Sequence, residues 1–134
     1  MLEDQSVEKI IQNIKSRQLS IKELMEYYLN RIEKYNPDLN AIILLKDKET
    51  LISEAVKKDN LKETHKPLNG IPIAIKDLSD VVGLRTTYGF PGTKNYLPQK
   101  NSLFVDRLIK SGAIIIGKTN TAELGVGGHT INRL

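Results

Sequence analysis

The sequence has neither cysteine nor tryptophan, and only two phenylalanines among its 134 residues. Without cysteine there is no disulfide framework, no thiolate nucleophile and no cysteine-based metal site, which fits a reducing compartment. The two histidines, His65 and His129, are isolated and lack a carboxylate at ligand spacing, so neither a metal nor a cofactor is expected. No apolar run approaches the roughly 18 residues a membrane span requires. The acidic opening Met1-Leu2-Glu3-Asp4 is unlike a basic secretion signal. Together these absences predict a soluble, cytoplasmic protein with no membrane partner.

What charge there is lies unevenly. The formal net charge is +4; residues 1–67 hold twelve basic and twelve acidic side chains, whereas residues 68–134 hold eight and four. The first half therefore reads as a solvated helical layer and the sparsely charged second half as interior sheet. A nucleic-acid surface does not follow from the basic excess. The lysines are scattered, no aromatic residues interleave with them, and no helix carries a one-sided basic stripe.

Hydrophobic spacing predicts the elements. Val7, Ile10, Ile11 and Ile14 recur at helical intervals, as do Ile21, Leu24, Met25, Tyr28, Leu29 and Ile32. Ser20 with Glu23 makes a capping box for the second helix, and Asn36-Pro37 marks its end. Ala41 to Leu45 is a strand, Leu51, Ile52, Ala55 and Val56 define a third helix with Lys57 and Lys58 near its end, and residues 59–66 are a polar connector. Ile71 to Ile75 carries no charge and reads as a strand over 71–76, followed by a Gly/Thr/Pro-rich loop over 83–98 of the kind that often carries function. Asn101 or Ser102 caps a helix bearing Leu103, Phe104, Leu108 and Ile109, which Gly112 ends. Ala113 to Ile116 is wholly apolar, as a central strand buried on both faces is, with the strand running over about 113–118. Strand, helix and strand in this order form a βαβ crossover. The fold class is α/β, a single incomplete domain in which residues 1–66 form a helical layer with one strand at 41–45. Residues 67–134 form part of a mixed, largely buried sheet with covering helices.

Two lysines invite chemistry. Lys76 ends an apolar strand, where an ammonium either escapes to water, pairs with Asp77 or Asp80, or has been placed for catalysis. Lys118 lies in Gly112-Ala-Ile-Ile-Ile-Gly117-Lys118-Thr119, which satisfies the phosphate-loop pattern letter for letter. A phosphate loop needs those variable residues in an open turn with a helix directly after the lysine. Here they are the strand itself, a helix precedes the first glycine, and residues 120–128 form helix poorly. Nucleotide binding is therefore rejected, and Gly125-Val126-Gly127-Gly128-His129 is only a weak anion-binding signal.

The run Pro67-Leu-Asn-Gly-Ile-Pro-Ile-Ala-Ile-Lys76-Asp77, then Gly83-Leu-Arg-Thr-Thr87, then Ser111-Gly-Ala-Ile-Ile-Ile-Gly-Lys-Thr-Asn120 with Glu123 and Gly125, closely resembles the amidase signature family of amide hydrolases. The resemblance implies that Lys76 is the terminal base of a Ser-Ser-Lys triad whose two serines lie in a later Gly/Ser-rich loop. It implies a structural role for the Gly-Lys-Thr-Asn run, and offers Tyr88 and Phe90 as pocket walls, against the reading of loop aromatics pinned to local core. None of the serines at 6, 16, 20, 53, 79, 102 and 111 sits in a Gly-Ser-Ser-Gly setting. A lysine base needs its pKa brought down by roughly three units from about 10.4, about 4 kcal/mol of differential solvation, which burial supplies in an intact site. The expectation is thus the amino-terminal part of an amidase for a small carboxamide, inactive alone. One alternative is a non-catalytic truncated or split remnant that associates with a complementing chain, or with itself through an exposed sheet edge where the strand 113–116 lacks a neighbour. The other is a transamidase subunit for misacylated tRNA, although Gly127-Gly-His-Thr-Ile-Asn132 looks more like stand-alone amidases.

Overall fold

Orphan N–H groups at a helix start need acceptors, and Ser20 and Glu23 supply two reciprocally: Glu23 N donates to Ser20 Oγ at 3.1 Å and Ser20 N to Glu23 Oε2 at 2.9 Å. In the computed structural model, which describes residues 2–61 and 63–134, this capping box opens the longest helix, α2 (Ile21–Leu39), after the shorter α1 (Val7–Lys15). A second cap comes from far along the chain. Asp59 accepts from Ile21 N at 2.8 Å and from Lys22 N at 3.0 Å, placing a carboxylate on the positive end of the α2 dipole. Residues 59–61 accordingly belong to α3 (Lys48–Leu61) and not to a connector.

The end of α2 also differs from the sequence expectation. The helix passes Pro37 and stops at Leu39, because a proline this near the end deletes only one helical hydrogen bond and Asn40, in the left-handed region at φ 46°, closes the last turn by donating to Asn36 O at 2.7 Å. The Asn36 side chain then clamps the first residue of β1 (Ile42–Leu45), donating to Ile42 O at 2.9 Å and accepting from Ile42 N at 2.8 Å. Ala41 O faces inward, accepting from Asn120 N at 2.8 Å, so the Ile42 groups face outward. The amide of Asn36 takes the place of a neighbouring strand.

The sheet is completed by β2 (Pro72–Lys76) and β3 (Ile114–Thr119), which are joined through α4 (Leu103–Lys110), and its order is β1-β3-β2. The central strand pairs antiparallel with β1 and parallel with β2, so it lacks no neighbour, contrary to the expectation for residues 113–116. The partner on its far side is the early strand β1, a pairing too distant in sequence for local pattern to reveal. Its burial on both faces is as expected: Ile114 and Ile116 pack against Ile21, Met25 and Leu29 of α2 and Leu51 and Ala55 of α3, while Ile115 packs with Ile75, Val81, Leu84 and Val105 on the other side.

The α4 helix buries only part of its apolar set, with Leu108 half-buried against the cluster of Ile75 and Ile115. Val105 is buried, whereas Leu103, Phe104 and Ile109 are 69%, 46% and 43% exposed. Its two candidate caps hold the preceding loop instead: Asp80 N donates to Ser102 Oγ at 2.9 Å and Val82 N to Asn101 Oδ1 at 2.7 Å, which sets the rotation of α4 on the sheet. Gly112, at φ +99°, ends the helix segment where a Cβ would lie 2.8 Å from Asn69 Cα. Among the described residues no helix is long and apolar enough to cross a membrane.

The Asn36 clamp gives a direct test. Asn36→Ala removes two hydrogen bonds and bares an N–H and a C=O on an edge strand, and should cost about 1–3 kcal/mol in a urea melt. It should also raise the sedimentation-measured self-association, because an opened edge templates strand pairing.

Candidate functional site

The two parallel strands deliver their last residues side by side, Ile75 opposite Lys118 and Lys76 opposite Thr119. A bulge decides which way these residues face. Ile73 pairs with Ile115 but Ala74 with Gly117, so Ile116 is an extra residue on β3. Strict alternation would put Lys118 on the face of Ile114 and Ile116; past the bulge it lies instead on the face of Ile115, opposite Ile75 and Leu44. Gly117 permits this because a Cβ there would sit 2.1 Å from Leu44 O.

Lys118 is fully buried, and every proton of its ammonium is used. Nζ lies 3.3 Å from Asp77 Oδ1 and donates to Ser79 O at 2.6 Å and to Thr86 Oγ1 at 2.7 Å. Asp77, equally buried, accepts from Thr87 N at 3.2 and 3.1 Å and from the Thr87 hydroxyl, while its own N–H donates to Thr119 O at 3.0 Å. Burial pushes the Lys118 ammonium below the ordinary lysine range, and Asp77 opposes that fall. The pair anchors the loop that leaves β2: Tyr88 N donates to Asp77 O at 3.0 Å. Lys118 therefore has a structural role, with no free proton position for an incoming group. The phosphate-loop letters fall on β3 itself, as the sequence reading required.

The neighbouring residue Lys76 has the opposite surroundings. It is exposed at the end of β2 and makes no ion pair among the described residues. Its two expected alternatives are engaged elsewhere, Asp77 with Lys118 and Asp80 with two phenols. Tyr88, at φ 55°, donates to Asp80 Oδ1 at 2.9 Å and Tyr96 to Oδ2 at 3.2 Å, with the rings stacked at 6.2 Å and 23°. Tyr88 is thus a pinned loop aromatic, while Phe90 is exposed. His65 and His129 are both exposed, and the described residues hold no cluster of His, Cys, Asp and Glu fit for a metal.

The Asp77–Lys118 pair could have been suspected from sequence. A lysine inside an otherwise apolar strand must find a carboxylate, an argument that applies to Lys118 more strongly than to Lys76; only the bulge hides which carboxylate it reaches.

Two measurements follow. Lys118→Met strands a buried carboxylate and should cost about 3–5 kcal/mol in chemical denaturation, and Asp77→Asn in the same chain should recover part of that loss. Burial, followed by the hydrogen bond to Asp80, pushes the Tyr88 phenol up to about 12. A group raised in the folded state contributes stability that is complete below its unfolded value of about 10 and is lost as pH rises through its folded value. Phenolate absorbance at 295 nm should show a titration near pH 12 that Tyr88→Phe removes, with stability falling over the same interval.

Comparison with known proteins agrees with this architecture. The Amidase family model matches residues 23–134. The chain is 37% identical over 120 residues to a glutamyl-tRNA(Gln) amidotransferase subunit of Dehalococcoides mccartyi, covering 89% of this chain and 25% of that protein. It is 36% identical over 132 residues to an acylamidase of Rhodococcus erythropolis, covering 96% and 28%. Among solved structures it resembles the peptide amidase of Stenotrophomonas maltophilia, with a TM-score of 0.80 at 28% identity over 90% of this chain and 25% of that one. The chain spans about a quarter of the length of the curated relatives it matches. With the family model covering most of its residues and a mixed sheet like that of solved members, the chain belongs to the amidase family, the amidase signature enzymes.

Proposed function

We propose that this chain supplies the lysine arm of an amide-hydrolysing site. Lys76 acts as the terminal base toward the C–N bond of a small carboxamide, and the two serines it serves come from a Gly-Ser-Ser-Gly segment that these 134 residues do not contain. The observation that carries the reading is the contrast at the end of β2: a rigid strand presents one free amine to the sheet's carboxyl edge, where open α/β sheets place their sites, while the next residue is locked into the interior. Five of the chain's seven serines are engaged or lie on the helical layer. Ser6 and Ser20 cap helices, Ser16 donates to Asn13 O, Ser102 holds Asp80, and Ser53 is exposed on α3. Without the serine pair, and with Lys76 exposed, these residues by themselves are inert toward amides.

A second reading has its own observation. Three large apolar side chains of the eight-residue α4, Leu103, Phe104 and Ile109, face solvent, which favours association with a complementing polypeptide. A subunit role in a transamidase acting on misacylated tRNA rests on the similarity to the amidotransferase protein, and a cytoplasmic location accords with either role.

The test is ammonia release from simple carboxamides. The chain alone should give none above background. Supplied in trans with the serine-bearing remainder of a related amidase, it should give turnover that Lys76→Ala lowers by about 10³-fold or more. Turnover by the chain alone would overturn the inertness, and turnover indifferent to Lys76→Ala would overturn the assigned base.

A further inference from the structure

A cavity of about 380 Å³ opens beside the same carboxyl end of the sheet, lined by the apolar Ile43 and Leu134 and by Asn40, Arg85, Thr87, Lys94, Asn120 and Asn132, without Lys76. Its polar lining divides into a fixed part and a free part. Asn132 Nδ2 donates to Asn120 Oδ1 at 2.8 Å and to Thr121 O at 2.9 Å, and Thr121 N donates to the same Asn120 oxygen at 2.9 Å, so the two carboxamides hold each other. The Thr87 hydroxyl is taken by Asp77, and that carboxylate is sealed behind Lys118. The charged part of the lining is the side chains of Arg85 and Lys94, both exposed and, among the described residues, without an ion pair or hydrogen bond. The Asp77 carboxylate, which accepts from the Thr87 hydroxyl of the wall, is neutralised by Lys118.

We infer that this cavity is a binding site for a small oxyanion, a carboxylate or phosphate group, held by Arg85 and Lys94. The guanidinium offers a planar fork matched to two oxygens of such a group, the ammonium adds a mobile point charge, and the interlocked asparagines form a rigid polar floor. Neither Lys76 nor amide cleavage enters the argument, so the site goes beyond the proposed hydrolytic function and is tested without any assay of it.

The experiment is calorimetric titration of the chain with sodium phosphate and, separately, sodium acetate, at constant ionic strength set with chloride so that general screening is held fixed. Saturable binding of at least one anion is expected, weakened tenfold or more in Arg85→Gln/Lys94→Gln and unchanged in Lys100→Gln/Arg107→Gln, which removes the same charge elsewhere. Which anion saturates identifies the source as phosphate-bearing or carboxylate-bearing. Should the double variant unfold, Lys94→Gln alone, at an exposed position, carries the test, with at least threefold weakening expected. The inference fails if neither anion saturates, if the cavity variants bind as tightly as the parent, or if the control variant weakens binding equally.

Discussion

The structure turns on one buried charge pair. Lys118 and Asp77 sit at the ends of adjacent parallel strands, both without exposure, and an ion pair so placed is tolerated only when every remaining proton and lone pair is satisfied. That requirement organises the surroundings. Ser79, Thr86 and Thr87 must come within hydrogen-bonding distance, which folds the segment after β2 back across the sheet end, and Tyr88 and Tyr96 then close over Asp80 as a second layer. The bulge at Ile116 and the absence of a side chain at Gly117 belong to the same device, since they turn Lys118 onto the face where Asp77 waits.

Side chains that bond to backbone perform the same service elsewhere in the fold. Asp59 holds the start of α2 from the last turn of α3, and Asn36 holds the start of β1 from the last turn of α2. Each satisfies polar groups that would otherwise stand open at the end of an element. Together they fix the helical layer over the face formed by Ile114 and Ile116, and this in turn sets where β1 lies beside β3.

Against this framework Lys76 is conspicuous for what it does not touch. Membership of the amidase family and similarity to solved amidases over 90% of the chain fit the strand that carries it. A lysine base depends on neighbours that bury it, whereas Lys76 is exposed at the end of β2. The buried lysine, which on solvation alone would look like the better base, is excluded by geometry: its protons are committed to three acceptors.

Much of the molecule was determined by the sequence alone. The helical spacing of Ile21 to Ile32, the Ser20 and Glu23 box, the apolar run at Ile114 and the stop at Gly112 are local signals, and local chemistry decided them. So did the rejection of the phosphate-loop pattern, which needs only the knowledge that an apolar run of that kind is a strand. Tertiary structure decided the rest. The extension of α2 past Pro37, the inclusion of Asp59 in α3, the exposed face of α4 and the pairing of β1 with β3 each depend on a contact between residues that local pattern does not join. The same holds for the lysines: two of them at the ends of two apolar strands look alike as letters, and a single extra residue in β3 sends one into the interior while the other remains in water. Register and burial are properties of paired strands, and no reading of one strand at a time contains them.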